Sequence, residues 1–209
     1  MTSQSIYLAL IGETILRLNA AQGFLLEHRR NSDPATLDAA ILQVRKGLGL
    51  IAIAAIAPDK NYYAAFRATA SKDPDFTKDY HASKIFAALS KVNPDFYPRA
   101  LLPAIKMPDG SWHYENKQVG VLSKKQFERS YDRLGKHLHA QNPWGSNKNT
   151  QNLAEELPNI VKAAKELIAL HVRFIRTPEF QGAWVVQADS AKPTIVVATA
   201  DGPFAVSAA

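Results

Sequence analysis

Apolar positions recur at helical spacing through most of the chain. Ile6, Leu10, Ile11, Leu18, Leu25 and Leu26 predict a first helix over Ile6–Glu27. His28, Arg29 and Arg30 then place positive charge where the helix dipole favours it. Asp33 followed by Pro34 combines an N-cap acceptor with a proline at the first helical position. The second helix predicted from there runs to about Ala57 and stops at Pro58. After Lys46 it is apolar on nearly every side, which predicts a central place in the core. A shorter third helix is expected over Asp59–Ala70. Asp73-Pro74 repeats the start signal ahead of a helix over Phe76–Lys91.

Four prolines, at 94, 98, 103 and 108, then exclude a regular helix. Pro108-Asp109-Gly110 is a turn between Ala104-Ile105-Lys106 and Trp112-His113-Tyr114, and it predicts a small hairpin. Ser123 with Gln126 forms a capping box. The helix it opens carries Phe127, Tyr131, Leu134 and Leu138 on one face and ends at Asn142-Pro143. A last helix is read over Leu153–Ile175, with Val161, Ala164, Leu167, Ile168, Val172 and Ile175 as its stripe and Pro158 in its first turn or kinking it. Beyond Pro178, AWVVQA (183–188) and TIVVAT (194–199) read as strands of a C-terminal hairpin. The pattern predicts a mainly α fold: a five- or six-helix bundle with small β-hairpins, one near the middle and one at the C-terminus. Residues 1–178 form the helical domain, with a hairpin insertion about 100–120, and 179–209 a β-hairpin appendage.

Composition sharpens this picture in three ways. With 46% hydrophobic and 21% charged residues, the chain has the apolar surface of an ordinary globular domain rather than of a disordered polymer. Cysteine is absent, which removes disulfides, thiolate metal sites and Cys nucleophiles. Lys plus Arg is 25 against 19 Asp plus Glu, a net +6, a balance that favours anionic partners. The N-terminus has no basic residue ahead of an apolar run, as a signal peptide requires. The apolar run Gly47–Ala57 is shorter than the ~20 residues a bilayer needs. A cytoplasmic protein without a membrane contact is expected.

Known catalytic signatures are missing. There is no G-x-S-x-G elbow, no Walker or dinucleotide loop, and no H-E-x-x-H. Neither a metal nor a cofactor is expected. The segment Arg129–Trp144 is different, because it gathers Arg129, Arg133, Lys136, His137, His139 and Asn142 beside a defined buried face. An arginine grips a phosphate through paired N–H donors, and a histidine titrating near neutrality exchanges a proton with a ribose 2′-hydroxyl. Together they meet the minimum for metal-free RNA cleavage by internal 2′-OH attack.

The spacing Arg133-x5-His139 at the end of a helix resembles the R-x4–6-H motif of HEPN domains. KVNPDFYP (91–98), the capped stretch LSKKQFERSYDRLGKHLHAQNPW (122–144) and a following helix with an internal His171 resemble HEPN-like proteins of bacteria and prophages. The resemblance spans Ala82–Ile175. It implies a helical domain that homodimerises, bringing two motifs together in a cleft that acts on RNA as a metal-independent endoribonuclease of a toxin or phage-defence system. An antitoxin or defence protein would be the partner. Arg133 and His139 would be catalytic, and Arg129, Lys136, His137 and Asn142 would position substrate. Active members commonly carry a polar residue directly after the arginine, where this chain has Leu134.

Two other readings fit the same residues. In one, the chain is a non-catalytic helical dimerisation or adaptor protein of a prophage or defence system, and Lys136, His137 and His139 only complement a helix C-terminus. In the other it is a nucleic-acid-binding regulator, although no helix-turn-helix spacing is evident.

Overall fold

The computed structural model describes residues 1–140, 144–145, 149–178, 180–189 and 192–199. Helix α1 (Ser3–Asn31) starts at Thr2, whose side-chain oxygen accepts from the Ser5 N–H at 3.1 Å, and stops where Ser32 turns left-handed at φ 54°. Helix α2 (Pro34–Ala54) begins at Asp33, whose carboxylate accepts from the Ala35 and Thr36 N–H groups. Only two residues separate these helices, so α2 folds back along α1. Tyr7, Ile11, Leu18 and Leu25 of α1 and Ile41, Val44, Leu48 and Ile51 of α2 are buried. On length and composition Pro34–Ala68 is apolar enough to cross a bilayer, and 56% of its most apolar window is buried inside the fold. That stretch is longer than the Gly47–Ala57 run taken from the sequence.

The second helix gives way at Ala55 to a 3-10 turn over Ala57–Asp59, and α3 (Lys60–Ala68) follows. Helix α4 (Ala82–Val92) begins later than the sequence predicts, because Phe76–Lys78 forms a separate 3-10 turn capped by the Asp75 carboxylate. Strand β1 (Arg99–Ala100) then leads to the hairpin of β2 (Ile105–Lys106) and β3 (Trp112–His113). This is the hairpin expected from the Pro-Asp-Gly turn, and Gly110 there has φ 86°, a conformation that a side chain disfavours. Helices α5 (Lys124–His137) and α6 (Thr150–Ala169) complete six α-helices among the described residues. Phe86 of α4, Phe96, Tyr97 and Phe127 of α5 meet ring to ring, with centroids 4.9–6.4 Å apart. This aromatic cluster ties α5 to the body of the fold.

The mainly α expectation needs correction: the fold is α+β. Residues Leu170–Ile175, read as the end of the last helix, belong to strand β4 (Leu170–Arg176). β4 pairs antiparallel with β5 (Gln181–Gln187), and β5 with β6 (Thr194–Thr199), giving a four-stranded sheet in the order β1-β4-β5-β6. The C-terminal hairpin seen in the sequence is thus half of a larger sheet, and a division after residue 178 falls between two paired strands. The physical reason lies in LHVRFIR. Val172 and Ile175 continue the helical stripe of α6, but Val172, Phe174 and Ile175 are β-branched or aromatic. Seven backbone pairings with β5, from Leu170↔Gln187 to Arg176↔Gln181, settle the competition.

The face of the sheet turned to the helices carries His171 and Arg173, both fully buried. The Tyr7 hydroxyl lies 2.7 Å from His171 Nε2, and His171 Nδ1 lies 3.0 Å from the Ile168 carbonyl. A carbonyl can only accept, so Nδ1 carries the proton and Nε2 accepts from the tyrosine. Arg173 reaches the Ala55 carbonyl at 3.1 Å and Asp59 at 3.5 Å. Asn93 donates to Asp59 and to the Phe174 carbonyl. These contacts pin the sheet to α1 and to the end of α2.

Candidate functional site

The candidate residues ride on α5. Its capping box is complete: Ser123 Oγ accepts from the Gln126 N–H, and Gln126 Oε1 accepts from the Ser123 N–H at 2.9 Å. Phe127, Tyr131 and Leu134 then fall on one face and are buried. At about 100° per residue, Ser130, Arg133 and His137 flank that face on one side, and Gly135 on the other. The first flank looks toward α6.

Arg133 forms an ion pair there with Glu156 of α6. Its side chain is 28% exposed and that of Glu156 54%, so the pair sits at the surface. Such a pair contributes about 0–1 kcal/mol, which a phosphate can outcompete. Glu156 also lines a cavity of about 480 Å³ between α5 and α6, together with Gln126, Ser130, Asn159 and Lys162. Nothing in the sequence marks Glu156 as a neighbour of Arg133, because it comes from the next helix across the 138–149 segment.

The other candidates scatter around the end of α5. Arg129 and Lys136 are exposed, and His137, half-buried, is the last helical residue. The helix ends earlier than the sequence implies, with Leu138 as its C-cap, so His139 lies just beyond it on an exposed stretch. Leu138, read as the last residue of the buried face, is therefore 38% exposed. Asn142 lies outside the described residues. Trp144 is 92% exposed. Leu134, which departs from the polar residue common in active HEPN members, is fully buried, so the core claims that position here.

His171 belongs to β4 rather than to a helix, and it is sealed against Tyr7, whose ring in turn meets Trp184 edge-on. Burial pushes its pKa down to about 4, so it stays neutral and serves structure. Among the described residues no group of His, Asp or Glu side chains could hold a metal ion. No family model matches the chain, and neither does any curated protein or solved structure.

Proposed function

We propose that the chain is a HEPN-like protein that acts on RNA in the cytoplasm, as a homodimer and without a metal or cofactor. The observation that carries this reading is access. Arg133 and His139 lie at the surface around the end of α5 rather than under hydrophobic neighbours, and Arg133 pairs with Glu156 at the rim of the α5–α6 cavity. In the catalytic form, His139 removes the proton from a ribose 2′-hydroxyl, and the 2′-oxygen attacks the adjacent phosphorus. Arg133 holds the extra negative charge on the phosphorane. The 5′-oxygen leaves with a proton from the second histidine of the dimer, and the products are a 2′,3′-cyclic phosphate and a 5′-hydroxyl. Arg129, Lys136, His137 and Asn142 would guide the strand, and an antitoxin or defence protein would restrain the activity.

The test is incubation of the purified protein with total RNA in EDTA. His139→Ala is expected to lower cleavage about 10²–10⁴-fold, and Arg133→Ala about 10²–10³-fold, with the fold unchanged by circular dichroism. Equal cleavage by both variants and wild type would remove the nuclease reading.

One observation favours a second reading. Arg133 already has a carboxylate partner in Glu156, as a surface built for protein contacts would. In that case the chain is a non-catalytic dimerisation or adaptor protein, and Arg133→Ala alters assembly in sedimentation experiments without any change in RNA.

A further inference from the structure

The other flank of α5 carries a second cationic feature, and it is built on Arg45 of α2. The Arg45 guanidinium carbon lies 3.0 Å from the centroid of the Tyr131 ring. The ring itself is fixed, because the Tyr131 hydroxyl donates to the Tyr80 carbonyl at 3.0 Å. Gly135 supplies the room: a Cβ there would meet Arg45 Nε at 3.2 Å and Nη2 at 3.5 Å. Glycine weakens a helix, and here its missing side chain lets the guanidinium lie against α5.

This guanidinium has a platform and, among the described residues, no counter-ion. Arg45 Nε is buried and meets no hydrogen-bond acceptor among the described residues, and no described carboxylate forms an ion pair with Arg45. Its neighbours do not neutralise it. Arg17 takes up Glu13, the one carboxylate among the residues lining the cleft, at 2.9 Å and also donates to Gln43 at 3.1 Å. Lys46 is exposed. All three cations and Glu13 line one cavity of about 360 Å³ between α1, α2 and α5, closed on its apolar side by Leu50 and Tyr131. Three positive charges against one negative leave an excess of two, the charge of a phosphate monoester.

We propose that this cleft binds a phosphate group, with Arg45 as its principal ligand and Lys46 and Arg17 completing the charge. A stacked guanidinium has its rotamer fixed in advance and presents its N–H edge to two phosphate oxygens. The phosphate has two sources with the same chemistry: the terminal phosphate of a nucleotide or RNA end, and the backbone of a single strand. The cleft lies on the opposite flank of α5 from Arg133, so the proposal holds whether or not the chain cleaves RNA.

The test is titration calorimetry of the full chain with inorganic phosphate, and with a short single-stranded RNA carrying either a 5′-phosphate or a 5′-hydroxyl. Wild type is expected to bind inorganic phosphate saturably. Arg45→Gln should weaken binding about tenfold or more, as loss of a charge-assisted contact does, and Lys46→Gln about threefold. Gly135→Ala, which pushes on the guanidinium without removing a charge, should also weaken phosphate binding. Preference for the 5′-phosphorylated RNA identifies a terminal-phosphate site, and equal binding of the two RNAs, lost in Arg45→Gln, identifies a backbone site. Absence of saturable phosphate binding by wild type overturns the proposal. So does unchanged affinity in Arg45→Gln, or equal loss in a Lys106→Gln control on the exposed β2–β3 hairpin. Cleavage of total RNA by the wild-type protein is read separately, and its presence or absence bears on Arg133 and His139 alone.

Discussion

Arg133 and Arg173 are both guanidiniums paired with a carboxylate from another element, yet their surroundings give them opposite work. Arg173 is 0% exposed and meets Asp59, itself sealed, at 3.5 Å. Arg133 is 28% exposed and meets Glu156 at the rim of a cavity. A charge in the core has lost its water and depends on fixed partners; Arg173 also leaves Nε and Nη1 without one among the described residues. Burial raises the Asp59 pKa while Arg173 pulls it down, the mark of a pair whose attraction only partly offsets desolvation. A charge at the rim keeps its water and can exchange partners. The first kind holds a fold in one register, and the second is available to a ligand.

Breaking the buried pair should therefore have the largest effect. Arg173→Met strands Asp59 in the core and is expected to cost about 3–5 kcal/mol in urea unfolding. Asp59→Asn/Arg173→Met should recover most of the loss, because no charge is then left uncompensated. If the double variant is as unstable as the single one, packing rather than charge explains the position.

The neighbouring histidine gives a pH-dependent measure of the same sealed region. Burial first, then the nearby Arg173 charge, lower the His171 pKa to about 4, against a hydrogen bond to Ile168 that opposes them. The unfolded chain binds this proton from about pH 6.5, where the folded chain still refuses it. The contribution to stability is thus intact above pH 6.5 and falls away as the pH drops toward 4, by about 3 kcal/mol in all. Asp59, with its raised pKa, works in the opposite direction, so the comparison must hold it constant. The stability of wild type minus that of His171→Gln, measured from pH 7 to 4, should decline by that amount. Parallel curves would mean that the imidazole charges without cost in the folded state.

The buried region was also the less legible one. The helical hairpin, the capping box at Ser123 and the Pro-Asp-Gly turn each rest on contacts within a few residues, and such contacts leave marks in sequence. The strand Leu170–Arg176 leaves none of that kind. It follows α6 without a glycine or proline, and its identity depends on partners at 99–100 and 181–187. The candidate site divides in the same way. Arg133, His137 and His139 are visible as a local cluster, whereas Glu156 and the stacked Arg45 reach α5 from other helices and have no local signature. Arg45 opens the apolar half of α2 and Gly135 sits inside α5, and nothing local to either residue marks their contact.

A third test acts on the sheet itself. At Gly182 of β5, an added Cβ would stand 2.3 Å from the Ala198 carbonyl oxygen of β6 and 2.7 Å from the Phe180 ring. Backbone in a paired strand cannot retreat cheaply, so Gly182→Ala should destabilise by about 1–3 kcal/mol. Hydrogen exchange should show the loss concentrated in β5 and β6. Uniform loss across α1 and α2 would indicate that sheet and helices unfold as one unit.

The smallest effect belongs to the rim pair, and it carries the most functional information. A double-mutant cycle on Arg133→Ala and Glu156→Ala should give a coupling below about 1 kcal/mol, screened further by salt. Stability is then nearly indifferent to the pair, and any larger consequence must come from what the arginine does when a ligand arrives. Glu156 competes with phosphate for the guanidinium and repels it as well. Glu156→Gln should therefore tighten RNA binding about threefold or more at low salt, with a smaller gain at high salt. If the glutamine variant instead binds RNA no better and loses self-association, the carboxylate is part of a protein interface and the adaptor reading of α5 is the right one.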